Sequence, residues 1–209
     1  MVDWQTISAL ATATGTLVLA AATFAAIRSA NRSARVAEQA LLAGMRPLLV
    51  QSLFDDPAHK AVWSDRHAAR IEGGRAIAEC ANGVIYLALA LRNVGSGLAA
   101  LHGWAPREDP FGIADHVALD GFRRLTIDLF VPPNGTGFWE SAFRDLDDPQ
   151  RNAIQQRIVD REPFAIELLY GDQEGGQRTV SRFLVVPAGD EGWYAQAARH
   201  WNIDRPDPR

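Results

Sequence analysis

Cysteine and lysine are almost absent from this chain: Cys80 and Lys60 are the only examples among 209 residues. A lone cysteine forbids an intramolecular disulfide and suits a reducing compartment. No basic or histidine signature surrounds Cys80, so a structural thiol is the default reading. The histidines, His59, His67, His102, His116 and His200, include no H-x-x-x-H or H-E-x-x-H spacing. That excludes the helical zinc motifs. There is no G-x-S-x-G elbow, no G-x-x-x-x-G-K-[ST] loop and no kinase signature set. Catalytic residues drawn from separate loops leave no such motif, so these absences weaken an enzymatic reading without ending it. The formal net charge is −4, which argues against a protein built to neutralise nucleic-acid phosphates. Positive charge is nearly all arginine beside abundant alanine and glycine, the coding habit of a GC-rich bacterium.

Long hydrophobic runs are also scarce, with one exception. Ile7 to Ile27 reads ISALATATGTLVLAAATFAAI without a charged side chain. At ~1.5 Å per helical residue it spans roughly the 30 Å of a hydrocarbon layer. A cleaved signal peptide would carry a basic leader and a shorter apolar core. Here the leader holds Asp3 and no lysine or arginine. A buried soluble helix is the other rival, since the run is rich in Ala and Thr. Arg28, Arg32, Arg35 and Arg46 follow on the carboxyl side. The positive-inside rule then places the amino terminus outside and the main domain in the cytoplasm, at the cell membrane. Trp4 sits where an interfacial aromatic would.

Good helix formers continue to Gly44, and Pro47 forbids further helix. Ala9, Ala13, Thr16, Ala20, Thr23, Ile27, Ala30, Ala34, Ala37, Leu41 and Gly44 follow a 4-3 spacing. A homo-oligomeric stalk is one reading of that seam. Chance in an Ala-rich segment is the other.

Beyond Pro47 the pattern turns to strands. Pro47 to Leu53, Val84 to Asn93, Leu98 to Trp104 and Arg123 to Val131 read as strands. Asp55 to Gly74 reads as a polar loop with a little helix. Pro132-Pro133-Asn134-Gly135 is a strong turn, and Gly137 to Glu140 is expected to pair back across it. Asp148 and Pro149 predict a helix start, with Ile154 and Ile158 facing the core. Phe164 to Tyr170 and Gln177 to Val186 flank GDQEGG and predict a hairpin. Trp193, Ala197 and Trp201 at i, i+4, i+8 predict a last helix over 190–201. A disordered tail is expected for 204–209.

Gly95-Ser96-Gly97-Leu98-Ala99-Ala100 matches G-x-G-x-x-A after a strand. A dinucleotide site needs a long helix next, and Gly103 and Pro106 leave no room for one. No cofactor is expected. The stretch Leu89-Ala90-Leu91-Arg92-Asn93-Val94-Gly95-Ser96-Gly97-Leu98-Ala99 instead resembles a strand–turn pattern of bacterial immunoglobulin-like domains. The Tyr170-Gly171-Asp172 turn is similar to turns of the same domains. The layout resembles bacterial single-pass membrane proteins of unknown function, a resemblance that implies no activity.

These readings give a mainly β fold: an antiparallel immunoglobulin-like sandwich with helical decoration, preceded by one transmembrane helix. The domains are 1–46 (anchor and basic extension), 47–203 (sandwich) and the tail. The expected role is a membrane-tethered, non-enzymatic accessory or scaffold protein that binds a protein partner. Trp63, Trp104 and Trp139 are candidate contact residues, because aromatic side chains dominate interfaces. Core burial is the competing reading of the same tryptophans. An anchored hydrolase using Asp and His from different loops is the rival class. Asp55, Asp56 and His59 could supply metal ligands on one loop, and Asp115-His116 is another acid–histidine pair. Solvated loop polarity is the competing reading of both. A ligand sensor is a third, though only six residues precede Ile7.

Overall fold

The computed structural model describes residues 3–112, 115–189 and 192–204. It divides into Met1–Ala43 and Gly44–Arg209. The first unit belongs to α1, which runs from Trp4 to Gly44 as a single helix. Its expected end at Gly44 is observed. Every described side chain from Trp4 to Leu41 is exposed. Leu10, Leu17, Leu19 and Phe24 are each 68–73% exposed. The span Ile7–Leu41 is long and apolar enough to cross a membrane. Its threonine hydroxyls are turned inward on the helix. Thr12, Thr14, Thr16 and Thr23 each donate to the carbonyl four residues back, at 2.8–2.9 Å. That internal bonding removes their demand for water.

The second unit is mainly β and antiparallel. Its strands are β1 (Leu49–Gln51), β2 (His59–Val62), β3 (Ala68–Ile71), β4 (Arg75–Ala81), β5 (Val84–Asn93), β6 (Ala99–Arg107), β7 (Arg123–Val131), β8 (Thr136–Phe143), β9 (Phe164–Gly171), β10 (Thr179–Pro187) and β11 (Trp193–Asn202). Nine of them join one sheet in the order β1-β5-β4-β11-β10-β9-β6-β7, with β8 on the other side of β5. The sandwich reading expects two facing sheets, whereas these strands form one continuous sheet, a half-barrel. Its inner face closes on Leu87, Leu89, Trp104, Trp139, Phe164 and Phe183. Helix α2 (Pro149–Val159) seals this core with Ile154, which is fully buried. Asp148 caps α2 by accepting from the Gln150 and Arg151 amides, and Pro149 follows at the first helical position, as expected. The hairpin across GDQEGG is β9–β10.

Four elements differ from expectation. β8 pairs with β5, Trp139 opposite Leu89, and not with β7 across the Pro132–Gly135 turn. The 55–74 segment contains a hairpin, β2–β3, where a loop is expected. β4 is an additional strand. The last element is a strand, β11, and not a helix. Its tryptophan stripe has a strand explanation. Residues 193, 195 and 197 pair in turn with Pro187, Val185 and Phe183, and a bulge follows between Arg182 and Phe183 of β10. The extra residue, Ala198, reverses the alternation, so Trp193 is in the core while Trp201 stacks on Arg182 and Arg199 instead. Period 4 is compatible with either element, and the bulge concealed the period of 2. The tail expected from 204 lies, from residue 205 on, outside the described residues. Asp204 itself is paired with Arg178 at 2.7 Å.

The Gly95 and Gly97 turn is structural. A Cβ on Gly95 would collide with the Arg46 carbonyl, and one on Gly97 with the Met45 carbonyl. The incoming chain thus lies directly on this turn. Asn93 locks it from within: its side chain accepts from the Leu48 and Gly95 amides and donates to the Gly97 and Val131 carbonyls.

Candidate functional site

Hairpin β2–β3 lies on the outer face of the sheet over its own small core. Ala61, Trp63 and Ile71 from the hairpin meet Tyr86, Ala88 and Ala90 of β5. The alternation is that of a half-buried strand: Ala61 is buried, while Lys60 and Val62 point out. A short polar segment hides this signal, since Ala61 is the single buried side chain of β2.

The turn between the strands is pinned at several points. Arg66 adopts the left-handed region, with φ 70°. The Trp63 amide donates to the His67 carbonyl and the Arg66 amide to the Trp63 carbonyl, both at 2.9 Å. Asp65 accepts from the His67 amide at 3.1 Å. Trp63 Nε1 reaches across to the Ser141 carbonyl at 2.9 Å. The Tyr86 hydroxyl donates to Asp65 at 2.7 Å, and Arg144 lies 3.3 Å from the same oxygen. His67 stacks flat on Tyr86, with ring centroids 3.8 Å apart, and bonds Glu79 through Nε2.

The chemistry of these groups is that of a clamp. The Tyr86 hydrogen bond holds the Asp65 carboxyl below the usual carboxylate range. The same bond pushes the Tyr86 hydroxyl up, so it stays protonated. Burial pushes the nearby Cys80 thiol up as well. Neither is an activated nucleophile.

The clamp displays a basic face. Lys60 stands directly opposite Arg70 across the ladder, a like-charge pair that destabilises a hairpin taken alone. Arg66 occupies the exposed turn. Glu72 accepts from Arg70 at 2.5 Å and offsets part of this charge.

The other residues singled out in the sequence fall elsewhere. Trp63, Trp104 and Trp139 are 5%, 2% and 0% exposed, so they form no contact surface. An indole buries more area than almost any side chain, and all three are used in the two cores. Asp56 pairs with Arg92 at 3.2 Å and accepts from the Leu53 amide. His59 leans on Phe138. His116 bonds the Val117 carbonyl. Among the described residues, no group of three or more His, Cys, Asp or Glu is placed to hold a metal. A serine–histidine contact that sequence spacing does not reveal joins Ser181 to His200 at 2.6 Å, and Ser181 is fully buried.

No protein-family model matches the chain, and no curated protein does. A crystal structure of a protein from Archaeoglobus fulgidus aligns with 63% of this chain and 94% of its own, at 10% identity and a TM-score of 0.25. A likeness of that size carries no argument about fold or function.

Proposed function

We propose that this protein is a membrane-tethered scaffold whose β-domain binds an acidic segment of a protein partner through hairpin β2–β3. The tether reading rests on α1. An apolar helix exposed on every side, with its threonines bonded to its own carbonyls, is stable in lipid and costly in water. Arg28, Arg32 and Arg35 support a cytoplasmic domain. The binding reading rests on one observation: the Lys60–Arg70 pair is held face to face on a clamped hairpin, in a chain that is otherwise net acidic. A carboxylate seated between two cations relieves their repulsion. Kinship of the 89–99 turn with immunoglobulin-like domains is part of the proposal, and it carries no activity with it. The hydrolase alternative rests on loop Asp and His residues, among which Asp56 is paired with Arg92 and His116 with the Val117 carbonyl, and the structure adds the Ser181–His200 contact. Ser181 is enclosed, and its neighbours give it structural work.

The test has two readouts on the full chain. A C-terminal tag in carbonate-washed vesicles of known orientation should be retained and lie on the cytoplasmic side. In detergent, a fluorescent glutamate-rich peptide should bind in a salt-sensitive manner, and K60E/R70E should weaken it at least ten-fold. Equal binding by the wild type and K60E/R70E would remove the hairpin from the proposal. A tag on the outside would reverse the orientation.

A further inference from the structure

Arg28, Arg32 and Arg35 are the only basic residues before Arg46, and α1 carries all three. At ~100° per residue their side chains fall within an arc of about 60°. Along the axis they span about 10 Å. Leu10, Thr14, Leu17 and Ala21 continue the same arc toward the amino end, with Phe24 about 20° beyond its edge. One face of α1 is therefore greasy and then sharply cationic. All three arginines are exposed, and among the described residues no carboxylate lies within ion-pair distance of them. Glu38 is the nearest acid on the helix, one turn beyond Arg35 and about 60° off the face.

We infer that this face is a binding surface for anionic phospholipid headgroups, an inference that rests on the membrane reading of α1. Three features match that ligand. The cationic cluster begins at the residue after the apolar run ends, which is the headgroup depth for a spanning helix. Arginine stems are apolar enough to lie along the acyl boundary while the guanidinium reaches up. The guanidinium offers paired N–H donors that match phosphate oxygens in a bidentate manner. A zwitterionic headgroup presents the same phosphate beside its own cation. Three arginines therefore discriminate for lipids of net negative charge. Each cation near such a surface contributes a factor of about five in partitioning.

The test uses the full chain in nanodiscs of equal phosphatidylglycerol and phosphatidylcholine, with retained lipids counted by native mass spectrometry. The wild type should retain phosphatidylglycerol in several-fold excess, and R28Q/R32Q/R35Q should retain the two lipids equally. Glutamine preserves helix propensity, and unchanged circular dichroism checks the fold. E38Q should keep or increase the excess. Equal retention by the wild type, or an excess that survives the triple substitution, overturns the lipid preference. Flotation with pure phosphatidylcholine vesicles separates this from the anchor. If both proteins float there, the anchor stands whatever the lipid count shows. If neither floats, the anchor reading falls and the lipid surface falls with it.

Discussion

Ser181 Oγ lies 2.6 Å from His200 Nδ1 and closes a chain of hydrogen bonds that starts at a backbone amide. The Leu49 N–H donates to Tyr170 Oη at 3.0 Å, and Tyr170 Oη lies 2.8 Å from Ser181 Oγ. One polarity satisfies every link and leaves no hydroxyl proton of the chain without an acceptor. Tyr170 accepts from Leu49 and donates to Ser181, and Ser181 donates to His200. The chain ties β1, where the domain begins, to β9, β10 and β11. Ser181→Ala leaves a buried tyrosine hydroxyl without its acceptor and should cost about 1–3 kcal/mol. Tyr170→Phe should cost a similar amount, and the double variant less than the sum of the two. Thermal unfolding of the full chain in detergent reads all three.

The alkaline limb gives an independent check on Tyr170. Burial pushes its hydroxyl up to about 12. A raised pKa means that the stabilisation is fully present below the ordinary value near 10 and is lost as pH rises through about 12. The wild-type melting temperature should fall more steeply over that window than that of Tyr170→Phe. Parallel curves would show that Tyr170 is not the group that titrates.

Asn93 is the second such point. It is fully buried and makes four hydrogen bonds to backbone groups of three separate segments. Asn93→Ala orphans two amides and two carbonyls at once. The expected loss is at least about 3 kcal/mol, and Asn93→Asp should not rescue it, because a carboxylate cannot donate to the Gly97 and Val131 carbonyls. Unfolding midpoints of the two variants should therefore fall together. A mild effect of Asn93→Asp would mean that only the two amide bonds matter.

This turn was legible in the sequence because its residues are local: an asparagine, then two glycines that the chain's close approach demands. The cap at Asp148–Pro149, the β9–β10 hairpin and the end of α1 were legible for the same reason. The partner of β8 was not. Turn chemistry at Pro132–Gly135 says only that the chain reverses, and Trp139 found its place against β5 through tertiary packing. The clamp leaves no sequence signature because Asp65, Glu79, Tyr86 and Arg144 come from four separate segments. Trp63 was visible, but spacing alone could not tell a buried indole from an exposed one. β11 has a helix-like stripe in sequence because a single bulged residue turns its alternation out of phase.

The clamp makes a prediction about local order. Tyr86→Phe removes the hydroxyl that anchors Asp65, and Asp65→Asn removes the charge that Arg144 meets. Amide hydrogen exchange across 59–71 should quicken in either variant, while β9 and β10 stay protected. The Asp65 carboxyl is held below its ordinary range chiefly by the Tyr86 hydrogen bond. Its contribution is thus present above the ordinary carboxylate value and lost as pH falls through the lowered one. Acid should therefore loosen the wild-type hairpin at lower pH than it protonates ordinary aspartates. Uniform exchange in all three proteins would mean that the hairpin is held by its apolar contacts alone.

Glu140 beneath the same hairpin should act in the opposite sense. It is 9% exposed, it faces the Val62 amide, and burial pushes its carboxyl up. One of its oxygens, Oε2, is buried without a hydrogen-bond partner. A raised carboxyl stabilises the folded state below the ordinary glutamate value, and that contribution is lost as pH rises through the raised one. When ionised, Glu140 is a poorly solvated anion beneath the hairpin. Glu140→Gln keeps the shape and the acceptor for Val62 while removing the charge. The variant should melt at a higher temperature than the wild type at pH 7, as thermal unfolding of the full chain in detergent would read. The gap should close as pH falls toward 4, where wild-type Glu140 carries its proton. A gap that persists unchanged at low pH would assign the gain to packing, and a lower melting point at pH 7 would mean that the charge is solvated where it lies.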